Sequence, residues 1–135
     1  MIERRQTNRI IVHHSLSSRK WTTKADLHRW HVTEKGWEDI GYHYFIDGDG
    51  ICYACRKLNL KGAHAFGRNH DSIGICLAGD FSKETPSYWQ MRTLRHLADA
   101  INLVLDTYLD IEFHRSTKNK CPGKFFHRLE LFHAQ

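Results

Sequence analysis

No stretch of this chain stays apolar for the ~20 residues that a membrane-spanning helix requires, so a transmembrane helix is excluded. The opening residues, Met1-Ile2-Glu3-Arg4-Arg5-Gln6-Thr7-Asn8, are polar and charged with no apolar segment behind them, and no secretory signal is expected. The chain is therefore expected to be cytoplasmic in the cell that makes it, where its four cysteines stay thiols rather than disulfides. There are no internal repeats and no low-complexity tracts. Basic residues exceed acidic ones by 20 to 15, but they are scattered, without the run that marks a nucleic-acid-binding arm. A formal charge of +5 favours anionic partners such as nucleic acid, cell-wall polymer or acidic peptide without choosing among them. Cys52-Tyr53-Ala54-Cys55 has no second CxxC to complete a zinc ribbon, and it does not open a helix as a redox pair would. These two cysteines, like Cys76, are expected to be core thiols.

What the chain does have is histidine, eleven of them in 135 residues. That length suits one domain, read here as residues 9–135 behind an N-terminal tail of residues 1–8. His114 and Cys121 place two soft-metal ligands on one short loop, and the β-branched run Arg9-Ile10-Ile11-Val12 ends on His13-His14. A buried strand ending in a histidine supplies a rigid third ligand, and three protein ligands leave the fourth position of a catalytic zinc open. The competing reading makes His114 a surface histidine and Cys121 a buried thiol. His28, His96, His127 and His133 fall on helices without a partner at ligand spacing and are expected on solvated faces.

Taken in order, residues 9–14 read as a buried strand. Thr23-Lys24-Ala25-Asp26 is a capping box opening a helix that Gly36 closes, with Leu27, Trp30 and His31 on its apolar face. Residues 42–46 and 51–54 form a hairpin about Asp47-Gly48-Asp49-Gly50. A long polar loop, 56–71, precedes the apolar strand 72–79, which suits the centre of a sheet. Ser87-x-x-Gln90 caps the longest helix, whose apolar stripe runs from Met91 to Tyr108. A short strand at 111–113 leads to the His114–Cys121 loop, and Pro122 begins a last helix over 123–133. The fold class is α/β, a single mixed central sheet flanked by about three helices.

Four ordered pieces then fall into one pattern: Val12-His13-His14-Ser15; Gly36-Trp37-x-Asp39-x-Gly41-Tyr42-His43-Tyr44; Gly62-Ala63-His64-Ala65-x-Gly67-x-Asn69-x-x-Ser72-Ile73-Gly74-Ile75; and His114…Cys121-Pro122-Gly123. Together they resemble the zinc-dependent N-acetylmuramoyl-L-alanine amidases, the family of phage lysozyme-type endolysins and animal peptidoglycan recognition proteins. The resemblance covers about residues 9–127. It implies Zn2+ held by His13, His114 and Cys121, a catalytic tyrosine at Tyr42, and a substrate groove near Trp37, His64 and Asn69. Phage members usually carry a catalytic lysine two residues before the cysteine. Here that position is Asn119, flanked by Lys118 and Lys120 in a loop one residue shorter than is common, so the resemblance leaves two readings: Asn119 fills the catalytic slot as a hydrogen-bond donor, or the shortened loop swings Lys118 or Lys120 into it. The implied reaction is hydrolysis of the amide between N-acetylmuramic acid and L-alanine in bacterial peptidoglycan, after release through a permeabilised membrane. Two alternatives accompany it: a non-catalytic peptidoglycan-binding module, and an endolysin that also binds its phage RNA polymerase.

Overall fold

A computed structural model describes residues 1–114 and 121–126. Its five strands are β1 (Arg9–His14), β2 (Tyr44–Ile46), β3 (Cys52–Ala54), β4 (Ser72–Leu77) and β5 (Asp110–Phe113). They form one sheet in the order β3-β2-β4-β1-β5. Only the β2–β3 hairpin is antiparallel; β2, β4, β1 and β5 run parallel. The two most apolar strands lie together in the middle, as burial on both faces requires. Every residue of β4 is buried, and so is all of β1 after Arg9.

Strand alternation divides the buried side chains between the two faces of the sheet. Ile10 and Val12 join Ile73, Ile75 and Leu77 under helix α2 (Tyr88–Leu105), which contributes Met91, Leu94, Ala98 and Ile101. The opposite face carries Cys76 with Phe45, Ile40 and Ala78, covered by Leu27 of helix α1 (Lys24–His28). Fully burying one such aliphatic side chain contributes roughly 1.5–3 kcal/mol. Both helices start with reciprocal capping boxes, Thr23 with Asp26 and Ser87 with Gln90. Gln90 is itself buried and donates to the Ala78 carbonyl at 2.8 Å, tying α2 to the end of β4.

Several expectations need correction. α1 continues as a wider π-helical segment over Arg29–Glu34 before the chain reverses at Gly36, whose φ is +75°. α2 stops at Leu105, because Asp106 adopts φ +51° and the Asn102 side chain accepts the Leu109 N–H at 2.7 Å. Tyr108 is therefore solvent-exposed and not the end of an apolar stripe, as is Val104. Cys52 points outward from the edge strand and is not a core thiol, whereas Cys76 is fully buried. Pro122 and Lys124–Phe125 lie in turns rather than in a first helical turn, and the rest of the expected helix 123–133 lies outside the described residues. Residues 2–4 lie along residues 59–61, with backbone hydrogen bonds from Arg4 to Asn59 and from Lys61 to Ile2, and the Asn8 N–H donates to the Asp71 carbonyl.

Candidate metal centre

The parallel register of β1 and β5 builds the site. Val12 lies opposite Phe113. One step further along both strands sets His13 beside His114 on the same face. Their ring centroids are 4.4 Å apart. Cys121 returns to the same strand end, where its Sγ accepts the His14 backbone N–H at 3.2 Å. The ligand atoms of His13, His114 and Cys121 all lie within 4.8 Å of one another. Ligand atoms around a tetrahedral zinc sit roughly 3.3–3.6 Å apart, so a small closure of this triangle accommodates the ion. His14, one residue on, faces the other core, where its Nδ1 accepts the Phe81 N–H at 3.0 Å.

The donor set suits such an ion electrostatically. Burial pushes the His13 pKa well below the usual histidine value, and His64, His114 and Arg68 push it further. Burial and then Arg68 lower His114 in the same direction. Both rings are thus neutral near pH 7, the form that binds metal. The amide hydrogen bond to Cys121 sulfur is of the kind that steadies a thiolate ligand.

Tyr42 closes one side, its ring centroid 5.1 Å from that of His13. Burial, then the neighbouring Cys76 and Cys121 thiols, raise its pKa well above the ordinary tyrosine value, so the phenol keeps its proton. A clamp from below sets its position. The buried Arg56 guanidinium donates to the carbonyls of Ile40, Asp39 and Lys61 at 2.9, 3.1 and 3.0 Å. His31 Nδ1 accepts the Gly41 N–H at 2.9 Å, and His43 Nδ1 accepts the Gly74 N–H at 3.0 Å. Both imidazoles serve as neutral backbone acceptors, each with its pKa pushed down to about 4 chiefly by burial.

A cleft of about 350 Å³ runs past the site, walled by His31, Trp37, Tyr42, His64 and Phe66 among others. Trp37 and Ala63 are shared with an adjoining cavity of about 460 Å³ that reaches Arg56 and Lys61. The Lys35 ammonium lies over the Trp37 ring at 4.7 Å, bringing positive charge to the rim.

Residues 3–124 match the family model described as N-acetylmuramoyl-L-alanine amidase. The chain belongs to the N-acetylmuramoyl-L-alanine amidase family. It is 38% identical over 128 residues to the endolysin of Enterobacteria phage T3, a match covering 89% of this chain and 83% of that one. It is 35% identical over 126 residues to peptidoglycan-recognition protein LB of Drosophila melanogaster, covering 84% of this chain but only 53% of the fly protein. Among solved structures, the N-acetylmuramoyl-L-alanine amidase LysC from Clostridium intestinale superposes with a TM-score of 0.83 at 30% identity, covering 93% of this chain and 83% of that one.

Within this amidase-family fold, the residues singled out in the sequence fall in different places. His13, His114 and Cys121 converge, with Tyr42 beside them. Trp37, His64 and Asn69 all border the cleft. Asn69, however, spends its side-chain oxygen within the loop, accepting the His64 and Ala65 N–H groups at 2.9 and 2.8 Å. Asn119, Lys118 and Lys120 lie outside the described residues. Sequence reasoning missed Arg56, Arg68, His31, His43 and Ser72. One signal of the packing around this cluster was available: a glycine inside an otherwise bulky buried strand, Gly74, marks a close approach by another group. That group is His64.

Proposed function

We propose that the chain hydrolyses the amide joining the lactyl group of N-acetylmuramic acid to L-alanine in bacterial peptidoglycan, with Zn2+ held by His13, His114 and Cys121. The observation that carries this reading is the convergence of two neutral imidazoles and a thiol at the end of the parallel strands β1 and β5, beside a protonated tyrosine and a cleft. Bound there, zinc supplies Lewis acidity and a water acidified toward a pKa of about 7.

The chain's own residues do the rest. Tyr42 holds its proton and donates a hydrogen bond to the oxygen on which negative charge develops. The Arg68 guanidinium, anchored to the Phe113 carbonyl at 3.4 Å, adds positive potential near the same point. Trp37 and Phe66 provide apolar walls for the substrate, and Lys35 attracts the anionic polymer. By the family pattern the remaining catalytic slot falls to Asn119, Lys118 or Lys120, all outside the described residues, and activity of the three alanine variants sorts them. The thiol ligand favours catalysis over simple binding, since recognition proteins that hold muropeptide without cutting it characteristically lack that cysteine.

Digestion of purified peptidoglycan, with the products analysed for new L-alanyl amines and for new reducing sugars, tests the reading. Amines without reducing sugars, lost with a chelator and restored by zinc, are expected. Reducing sugars without amines, or turnover untouched by metal removal, would overturn it.

A further inference from the structure

His64 borders the cleft, yet its ring nitrogens are both taken. Nδ1 lies 2.8 Å from His13 Nε2, and Nε2 lies 3.2 Å from Ser72 Oγ. Ser72 decides which atoms carry the protons. Its hydroxyl sits 2.6 Å from the Arg68 carbonyl oxygen, which can only accept, so the one serine proton goes there. Turning that proton toward His64 would leave two acceptors facing each other at the same short distance. Ser72 Oγ therefore accepts from His64 Nε2–H. His64 Nδ1 is left as a lone pair and accepts from His13 Nε2–H. His13 is left with its Nδ1 lone pair for the ion.

We propose that Ser72 and His64 form a positioning relay that selects the metal-binding tautomer of His13. This rests on the zinc reading above, but the proton order follows from hydrogen bonds in this chain alone. The local sequence is shaped to hold the relay. A Cβ on Gly74 would come within 2.5 Å of the His64 ring, and one on Gly62 within 2.6 Å, so the imidazole occupies a slot between two glycines. The Asn69 side chain fixes the His64 backbone, while Ser72 is fully buried at the start of β4. His13 and Ser72 lie on neighbouring parallel strands, so the relay runs across the sheet without a mobile segment. A ligand histidine whose second nitrogen is fixed by a partner is a recurrent arrangement, and loss of the partner lowers metal affinity roughly 10–100-fold. His64 is thereby a positioning residue. Its single N–H is committed to Ser72, which removes it as the proton source for the departing amine.

The test uses the full chain as wild type, Ser72→Ala and Ser72→Thr. Long-range nitrogen–proton NMR of metal-free protein reads the tautomers of His13 and His64, and chelator competition with Zn2+ alone reads affinity. The relay predicts Nε2–H on both rings in wild type, and a mixed population at His64 in Ser72→Ala with zinc affinity reduced roughly 10–100-fold. It predicts recovery of both in Ser72→Thr, which restores the hydroxyl. A His13 protonated on Nδ1 in wild type, or a Ser72→Ala protein that binds zinc as tightly as wild type, would overturn the relay and leave the amidase reading standing. A wild type that binds no zinc would overturn both.

Discussion

Acid should unfold this protein in a defined window, and His43 is the residue that shows why. It is fully buried, accepts the Gly74 N–H on Nδ1 and hydrogen-bonds the Leu60 carbonyl through Nε2 at 2.7 Å. A proton added to Nδ1 would face an N–H donor, with Arg4 and Arg56 adding repulsion, so burial and these charges push its pKa from 6.5 to about 4. The sign follows from linkage. With the folded pKa depressed, the unfolded chain takes up a proton first, so stability is intact above about pH 6.5 and is lost as pH falls toward about 4. Each pH unit in that window costs about 1.4 kcal/mol, a loss of about 3 kcal/mol from this one histidine. That is a large share of the roughly 5–15 kcal/mol that holds a domain together. Urea unfolding across this range, with chelator present so that metal does not contribute, should show the loss. A His43→Gln variant, which cannot titrate, should lose about 3 kcal/mol less than wild type over the same interval. Equal pH dependence in the two proteins, or a His43 that titrates at its ordinary value by NMR, would refute the reasoning.

Other consequences are equally direct. Tyr42→Phe should keep bound zinc and lower kcat roughly 10²–10³-fold, the usual cost of one oxyanion donor; steady-state kinetics with metal analysis checks this. Arg56→Met should destabilise the fold by about 3 kcal/mol or more, because three carbonyls lose their donor, and thermal unfolding reads it. Ser87→Ala should cost about 1 kcal/mol through the α2 cap and leave turnover unchanged. His13→Ala should abolish stoichiometric zinc and activity together, and retention of either would contradict its assignment as a ligand.

The sheet was largely legible before the structure because its central strands are short, mostly apolar runs rich in isoleucine, and burial on both faces of parallel strands demands such runs. The convergence of His13, His114 and Cys121 was legible in outline because His13 closes a β-branched run while His114 and Cys121 share one short loop. The register pairing of Val12 with Phe113 was not, since nothing local in either strand specifies its partner. The overrun of α2 to Tyr108 has a similar cause. No glycine marks the stop, and Asp106 takes the left-handed conformation instead. Arg56 reads as one more surface charge in the sequence, yet tertiary contacts bury it beneath the tyrosine loop. Five histidines that raised the expectation of metal in fact divide their labour. His14, His31 and His43 hold backbone N–H groups, while His13 and His114 converge on the centre.

X-ray absorption at the zinc edge of the metal-loaded protein interrogates the centre itself. One sulfur near 2.3 Å and two imidazole nitrogens at about 2.0–2.1 Å are predicted, with the sulfur shell vanishing in Cys121→Ser. A zinc environment without sulfur in the wild type, or one unchanged by Cys121→Ser, would contradict the account.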